Sequence, residues 1–359
     1  MEKILEKLIA FNTTTNLSNL ALVEYAKNIF GKNGYKIKLR RINDKANLFA
    51  YKKNVKPKII LSAHSDTVSA SDSWSNNPFK LIKKNDQYFG LGVCDMKIFI
   101  AIMLDLATKN LPENIAFLLT FNEELDFAGA KLINKKIMGS EDIIIIGEPT
   151  SNQAILANKG VAAYKIKFTG MSGHGSESSE ELSTIEQAAS FVKIFRQEFQ
   201  KFALKNKDEN FSNPLPILNF GQIAGGEAIN KIAECTEVIF EMRVNDQKNI
   251  LDLGQLVQKA ISKLKTKTKI ERFFTYPTFK ASNDVKKILK NANIPIAKGA
   301  SFATEAGILA NLTKNIIIFG PGDIKNAHQM NESIKIADIE EYQLLIEKFI
   351  KSSPPSKHS

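Results

Sequence analysis

His64 and Asp66 close an apolar run, Lys58-Ile59-Ile60-Leu61-Ser62-Ala63. Residues two apart on an extended backbone point to the same side. The pair is therefore expected to face one common space where a strand ends. An imidazole beside a carboxylate suits a metal ligand with its orienting partner, and a plain turn after a strand is the alternative. The same kinds of group recur at other expected strand ends. Glu123 and Glu124 follow the run 114–121, and Glu148 follows 142–146. Asp95 opens a long apolar stretch, where it could equally be a helix N-cap. His328 lies in a loop soon after the run 315–319. Carboxylates gathered at adjacent strand ends repel one another unless a cation sits among them, and a pair of divalent metals would satisfy them. Imidazole and carboxylate without thiolate favour zinc, with cobalt or manganese as alternatives.

The elements that must position these groups can be read from periodicity. Residues 1–33 read as two helical segments separated by Asn12-Thr13-Thr14-Thr15-Asn16, followed by short strands at 36–40 and 47–51. A polar loop, 69–79, holds the only tryptophan, Trp74. A helix is expected from Met96 to about Lys109, and another from 128 to 136. Strand and helix alternate, which argues for an α/β sheet with parallel strands, and ligands gather outside the carboxyl ends of such strands. The character changes near Asn158. A half-exposed strand at 160–169, a helix at 181–205, strands at 218–223 and 233–244, a helix at 250–264 and a strand at 269–275 give the order β-α-β-β-α-β. That is a ferredoxin-like unit inserted into the first domain. The first domain resumes with a helix at 284–291, a helix start within 301–310 and a closing helix at 339–350. The expected division is a catalytic domain in two parts, 1–158 and 277–351, an inserted domain, 159–276, and a disordered tail, 352–359. The fold class is α/β, with a mixed-sheet catalytic domain.

Bulk properties exclude several functions. The chain has 359 residues, 43% of them hydrophobic and 24% charged, as in ordinary globular proteins. No apolar run has the length of a membrane span, and the first residues lack a signal-peptide core. Two cysteines, Cys94 and Cys235, make neither a disulfide framework nor a Cys-rich zinc site, which fits a cytoplasmic protein. The net charge of +11 raises the question of nucleic acid, but the lysines are scattered and no nucleic-acid motif is present. Neither nucleic acid nor membrane is expected as a partner. Of the four histidines, His174 lies in Ser172-Gly173-His174-Gly175 inside the inserted segment, and His358 lies in the tail with no role assigned.

Taken together, His64-Ser65-Asp66-Thr67-Val68, Gly92-Val93-Cys94-Asp95-Met96-Lys97, Asn122-Glu123-Glu124, Gly147-Glu148-Pro149-Thr150, Ser172-Gly173-His174 and Ala327-His328-Gln329 resemble a known family. It is that of the dinuclear zinc peptidases and deacylases, and the resemblance covers essentially the whole chain. It implies the zinc-peptidase fold, two zinc ions per subunit, and a homodimer formed through the inserted lid domain. By residue, it implies that His64 and Glu148 hold one metal, that Glu124 and His328 hold the other, and that Asp95 bridges both. Asp66 would orient His64, and Glu123 would be the general base. His174 would stabilise the oxyanion, reaching across the dimer. Asn122 departs from the family, which often has Asp there, and so does Ile98, where a small residue is usual. Within the family, the 64–79 stretch, Ala303-Thr304-Glu305-Ala306-Gly307 and Gly320-Pro321-Gly322 are similar to the acetylornithine deacetylases. The implied substrate is a small N-acyl amino acid. Glu305 would pair with a cationic side chain, Arg243 would bind the α-carboxylate, and Asn230 would add a polar contact. Each also has a plain structural reading, Glu305 as a helix cap and Arg243 as a surface residue. Acetylcitrulline, succinyl-diaminopimelate and dipeptides are alternative substrates within the family. A metal-free binding protein is the alternative outside enzymes.

Overall fold

Four apolar runs, none of them alternating, form the parallel part of a six-stranded sheet. The strands Ile59–His64, Ile115–Thr120, Ile143–Ile146 and Ile316–Ile318 run parallel. Lys45–Tyr51 and Lys36–Ile42 extend the sheet antiparallel beyond Ile115–Thr120. Such runs are buried on both faces, which is why they read as continuous hydrophobic stretches. This is a computed structural model, and it describes residues 1–53, 55–135, 137, 140 and 142–352. The register places His64 opposite Thr120 and Ser62 opposite Ile146. The chain therefore leaves three neighbouring strands at one edge, through His64, through Asn122-Glu123-Glu124 and through Gly147-Glu148.

The helix Ile98–Ala107 is buried on all sides except at Asp105, as expected of a helix apolar all round. It lies so close to the end of the Ile143–Ile146 strand that a Cβ on Gly147 would stand 2.0 Å from the Phe99 ring. Phe99 in turn packs on Tyr342 of the closing helix Ile336–Ser352, with ring centroids 5.9 Å apart. Each apolar side chain of this size that is fully buried contributes roughly 1.5–3 kcal/mol.

This sheet and its helices belong to a unit made of Met1–Leu156, Lys280–Ala297 and the chain from Thr304 onward. The second unit comprises Ala157–Phe279 and Lys298–Ala303. Its sheet is antiparallel, in the order Ile217–Gly225, Cys235–Val244, Gly160–Thr169, Lys267–Tyr276. With the helices Thr184–Lys205 and Gln247–Ile261 the chain order is β-α-β-β-α-β, the ferredoxin-like arrangement. Phe191, Phe195 and Phe240 centre its core, with Phe195 and Phe240 5.1 Å apart. Ser183 caps the first helix by accepting the N–H of Glu186, and Asp246 caps the second by accepting that of Lys248. Lys259, beside Glu198 at 2.9 Å, and Lys263, just past the end of the second helix, tie it to the first, and Lys201 pairs with Glu198 within the first.

Three local expectations differ from the structure. The strand Gly160–Thr169 is buried over Gly160–Tyr164 and alternates only after that, because it is a central strand with a neighbour on each side. The helix near 128 is a single turn, Ala128–Lys131, after which the chain continues in turns; residue 136 lies outside the described residues. The closing helix begins at Ile336 and runs through Ser352, and the rest of the expected tail, 353–359, lies outside the described residues.

Candidate metal centre

His64 ends its strand 1% exposed. Its Nδ1 lies 2.9 Å from the backbone oxygen of Asp66. A carbonyl only accepts, so the ring proton sits on Nδ1 and Nε2 is the atom that could bind a metal. Nε2 faces Asp95 Oδ1 at 3.0 Å. The Asp66 carboxylate is more distant from the ring, 3.9 Å from Nδ1. It accepts instead the backbone N–H groups of Glu123 at 3.2 Å and Glu124 at 3.1 Å. Asp66 thus orients His64 through its main chain, and its carboxylate holds the loop that carries the two glutamates.

That loop starts at Asn122, whose φ of 56° is left-handed, a conformation that Asn tolerates better than most residues. The Asn122 carbonyl accepts the N–H groups of Asp126 and Phe127, and its side-chain oxygen accepts Lys45 Nζ. Asn suits this place because it supplies both the turn and the acceptor. Ile98 packs in the core at the first turn of its helix.

Asp95 is not the N-cap of the helix that follows. It sits in an irregular turn, Val93–Lys97, at φ −124° and ψ 92°, and the regular helix begins at Ile98. The turn is held from elsewhere. Glu332 accepts the N–H groups of Gly92, Cys94 and Asp95 at 2.8, 2.7 and 3.0 Å. The Asp95 carboxylate consequently stands between two imidazoles, Oδ1 toward His64 and Oδ2 3.4 Å from His328 Nε2. His328 also lies 2.8 Å from Glu124 Oε1.

Ligand atoms of His64, Asp95 and Glu124 all lie within 4.8 Å of one another. Glu148 and Glu123 are coupled to this group by charge. Burial pushes the Glu148 carboxyl well up, and Asp95 adds to it. Burial also raises Glu123, with Glu148 next in effect. Glu124 is raised by burial against the opposing hydrogen bond from His328. Asp95 and then Glu124 raise His328 to about 10. Glu148 Oε1 is buried without a hydrogen-bond partner. A buried carboxylate oxygen with no donor, near other carboxylates and the His64 imidazole, fits a divalent cation held by nitrogen and oxygen. His64, Asp95, Glu124, Glu148 and His328 are the residues that could hold it.

The remaining expected site residues are divided between the two units. Glu305 belongs to the same unit and is fully buried, with both carboxylate oxygens unpartnered. Burial raises it to about 7, with Thr120 and His64 opposing the rise and Asp66 adding to it. Thr304 Oγ1, not Glu305, accepts the N–H of Ala306 at the helix start. His174, Asn230 and Arg243 belong to the second unit. His174 is exposed and pairs in a short ladder opposite Lys231, and the Asn230 carbonyl accepts the N–H of Gly175 at 2.8 Å. Because His174 Nδ1 accepts from the Ser176 N–H, its proton sits on Nε2, which is left as a donor. Arg243 pairs with Glu241 through Nε at 2.9 Å and Nη2 at 3.3 Å, and donates from Nη1 to the carbonyl of Ser301. Glu332 was not among the residues expected from sequence. A glutamate four residues after His328 was the available signal.

Residues 60–352 match the model of peptidase family M20/M25/M40. The chain is 32% identical to an acetylornithine deacetylase of Buchnera aphidicola subsp. Schizaphis graminum, over 98% of this chain and 97% of that one. It is 29% identical to an acetylornithine deacetylase of Pasteurella multocida, over 93% and 91%. Among solved structures, a tripeptidase from Staphylococcus aureus superposes with a TM-score of 0.78 at 21% identity, covering 98% of this chain and 96% of the other. An M20 family metallo-carboxypeptidase from Sulfolobus solfataricus superposes with a TM-score of 0.75 at 16% identity, covering 98% of each. The chain belongs to peptidase family M20/M25/M40 and is a metal-dependent hydrolase.

Proposed function

We propose that the chain hydrolyses the amide bond of N-acetyl-L-ornithine, giving L-ornithine and acetate, as a cytoplasmic step of arginine biosynthesis. The observation that carries hydrolysis is the side-by-side placement of Glu124, which is engaged with His328, and Glu123, a raised carboxyl that feels the charges of Glu148, His64, Glu124 and Asp95. One carboxylate is a ligand and the next is left as a base. Support for the substrate comes from the acetylornithine deacetylases that the chain resembles over nearly its full length, together with the buried carboxyl of Glu305.

His64, Asp95, Glu124, Glu148 and His328 would hold two zinc ions, with cobalt or manganese as substitutes. Bound there, such metals would lower the pKa of a water and polarise the scissile carbonyl. A Glu123 carboxylate oxygen takes the proton of the attacking water as its oxygen bonds to the carbonyl carbon. Glu123 then gives that proton to the departing amine nitrogen as the C–N bond breaks. Asp66 keeps Glu123 in place through its backbone N–H. His174 Nε2–H donates to the developing oxyanion, supplied by the second subunit of a homodimer. Arg243 exchanges Glu241 for the substrate α-carboxylate, Asn230 adds a polar contact, and Glu305 attracts the side-chain ammonium.

The test is a side-by-side assay of N-acetyl-L-ornithine, N-acetyl-L-citrulline and N-succinyl-diaminopimelate with the zinc-loaded chain. The expected result is the highest kcat/KM for N-acetyl-L-ornithine. A higher value for either of the others would overturn the substrate assignment.

A further inference from the structure

We infer that Glu332 is a positioning residue for the metal centre: by holding the backbone of the Gly92–Asp95 turn, its carboxylate fixes where Asp95 stands between His64 and His328. The inference rests on the metal-centre reading above.

Glu332 is 2% exposed, and the mechanism gives it no chemistry. Its Oε2 accepts the Gly92 N–H, its Oε1 accepts those of Cys94 and Asp95, and its backbone oxygen accepts that of Gly90. These N–H groups converge because Gly92 adopts φ 74°, where a side chain would also strike Thr67 Cγ2 at 2.5 Å. Successive N–H groups turned inward form an anion-binding concavity, and bonds to a carboxylate are charge-assisted. Here the anion comes from residue 332, 237 positions beyond Asp95.

The segment His328–Glu332 therefore meets Asp95 twice. At one end His328 Nε2 lies 3.4 Å from Oδ2, and at the other Glu332 Oε1 accepts the Asp95 N–H. One short segment carries a candidate ligand and also fixes the backbone of the residue that stands between His64 and His328. Both Glu332 carboxylate oxygens are engaged with backbone N–H groups, so its effect on the metals passes through Asp95.

The experiment compares full-length wild type, Glu332→Gln and Glu332→Asp. It measures zinc and cobalt dissociation constants by chelator competition, the visible absorption of the cobalt form, kcat and KM, and unfolding of the metal-free chains. Glu332→Gln keeps one acceptor oxygen but turns an amide NH2 toward N–H groups. Its metal affinity is expected to fall about 10–100-fold, the scale of outer-shell changes. The cobalt spectrum should change, and kcat should fall while KM moves less than about threefold. Glu332→Asp should recover part of the loss. Metal affinity and cobalt spectrum within about twofold of wild type in Glu332→Gln, on the same 10–100-fold scale, would overturn the inference, whatever the unfolding temperature. If neither variant folds, hydrogen exchange on the wild type decides: slow exchange at Gly92, Cys94 and Asp95 supports the inference, and exchange as fast as in open turns overturns it. A wild type that binds neither zinc nor cobalt would instead overturn the metal-centre reading itself, and the inference with it.

Discussion

The Asp66 carboxylate accepts the backbone N–H of Glu123 at 3.2 Å, so the tip of one strand sets the position of the residue after the next. That contact joins the end of the His64 strand to the loop that carries Glu123 and Glu124. Asp66→Asn replaces one acceptor oxygen with an NH2 that faces an N–H. The expected outcome is a loss of about 10–100-fold in activity or metal affinity, with the fold retained. Chelator competition and steady-state kinetics check it, and unchanged values would mean that the Glu123-Glu124 loop holds its place without Asp66.

Glu123→Gln removes a proton acceptor and leaves the ligand set intact. Turnover should fall by about a hundred- to ten-thousand-fold, with metal content equal to that of wild type by elemental analysis. Lost metal with retained turnover would exchange the roles of Glu123 and Glu124.

Much of this arrangement was legible in the chain, because apolar runs ending in His64, Glu123 and Glu148 mark parallel strand ends directly. The less legible parts depend on contacts distant in sequence. Asp95 reads as an N-cap because an acidic residue before an apolar run usually is one. What displaces it from that role is Glu332, whose partners lie 237–240 positions away. In Asp66 the type of residue was legible, but the division of labour between its carbonyl and its carboxylate was not, since both readings fit the same spacing. The strand Gly160–Thr169 reads as half-exposed because its alternating second half dominates the pattern, while the sheet order that buries its first half is not a local property.

Packing at the strand ends gives a stability prediction. Gly147→Ala would place a Cβ 2.0 Å from Phe99, an overpacking expected to cost about 1–3 kcal/mol or more. Gly31→Ala, within the helix Leu20–Lys32 and with nothing within 4 Å of the new methyl, should stabilise by about 0.5–1 kcal/mol. Denaturant unfolding of both variants checks the opposite signs.

The second unit carries its own pH dependence. Lys259 first, then Lys263 and Lys201, hold the Glu198 carboxyl at about 2, below the ordinary 4.5. A depressed carboxylate contributes stability that is fully present above its unfolded pKa and is lost as pH falls toward the folded value. The stability difference between wild type and Glu198→Gln should therefore be largest near neutrality and shrink between about pH 4.5 and 2. Unfolding of both chains, stripped of metal, at several pH values would show it, and a difference independent of pH would contradict it.

The proposed two-metal centre consists of His64, Asp95, Glu124, Glu148 and His328, and hydrolyses an acyl amino acid. Its most direct measurement titrates zinc or cobalt into the chelator-treated chain while following release of acetate from N-acetyl-L-ornithine. The expected result is no hydrolysis without metal, activity returning with added zinc or cobalt, and saturation at about two ions per chain, the stoichiometry of paired metal sites. Hydrolysis at the full rate in the metal-free chain, or no binding and no hydrolysis at any metal concentration, would contradict it.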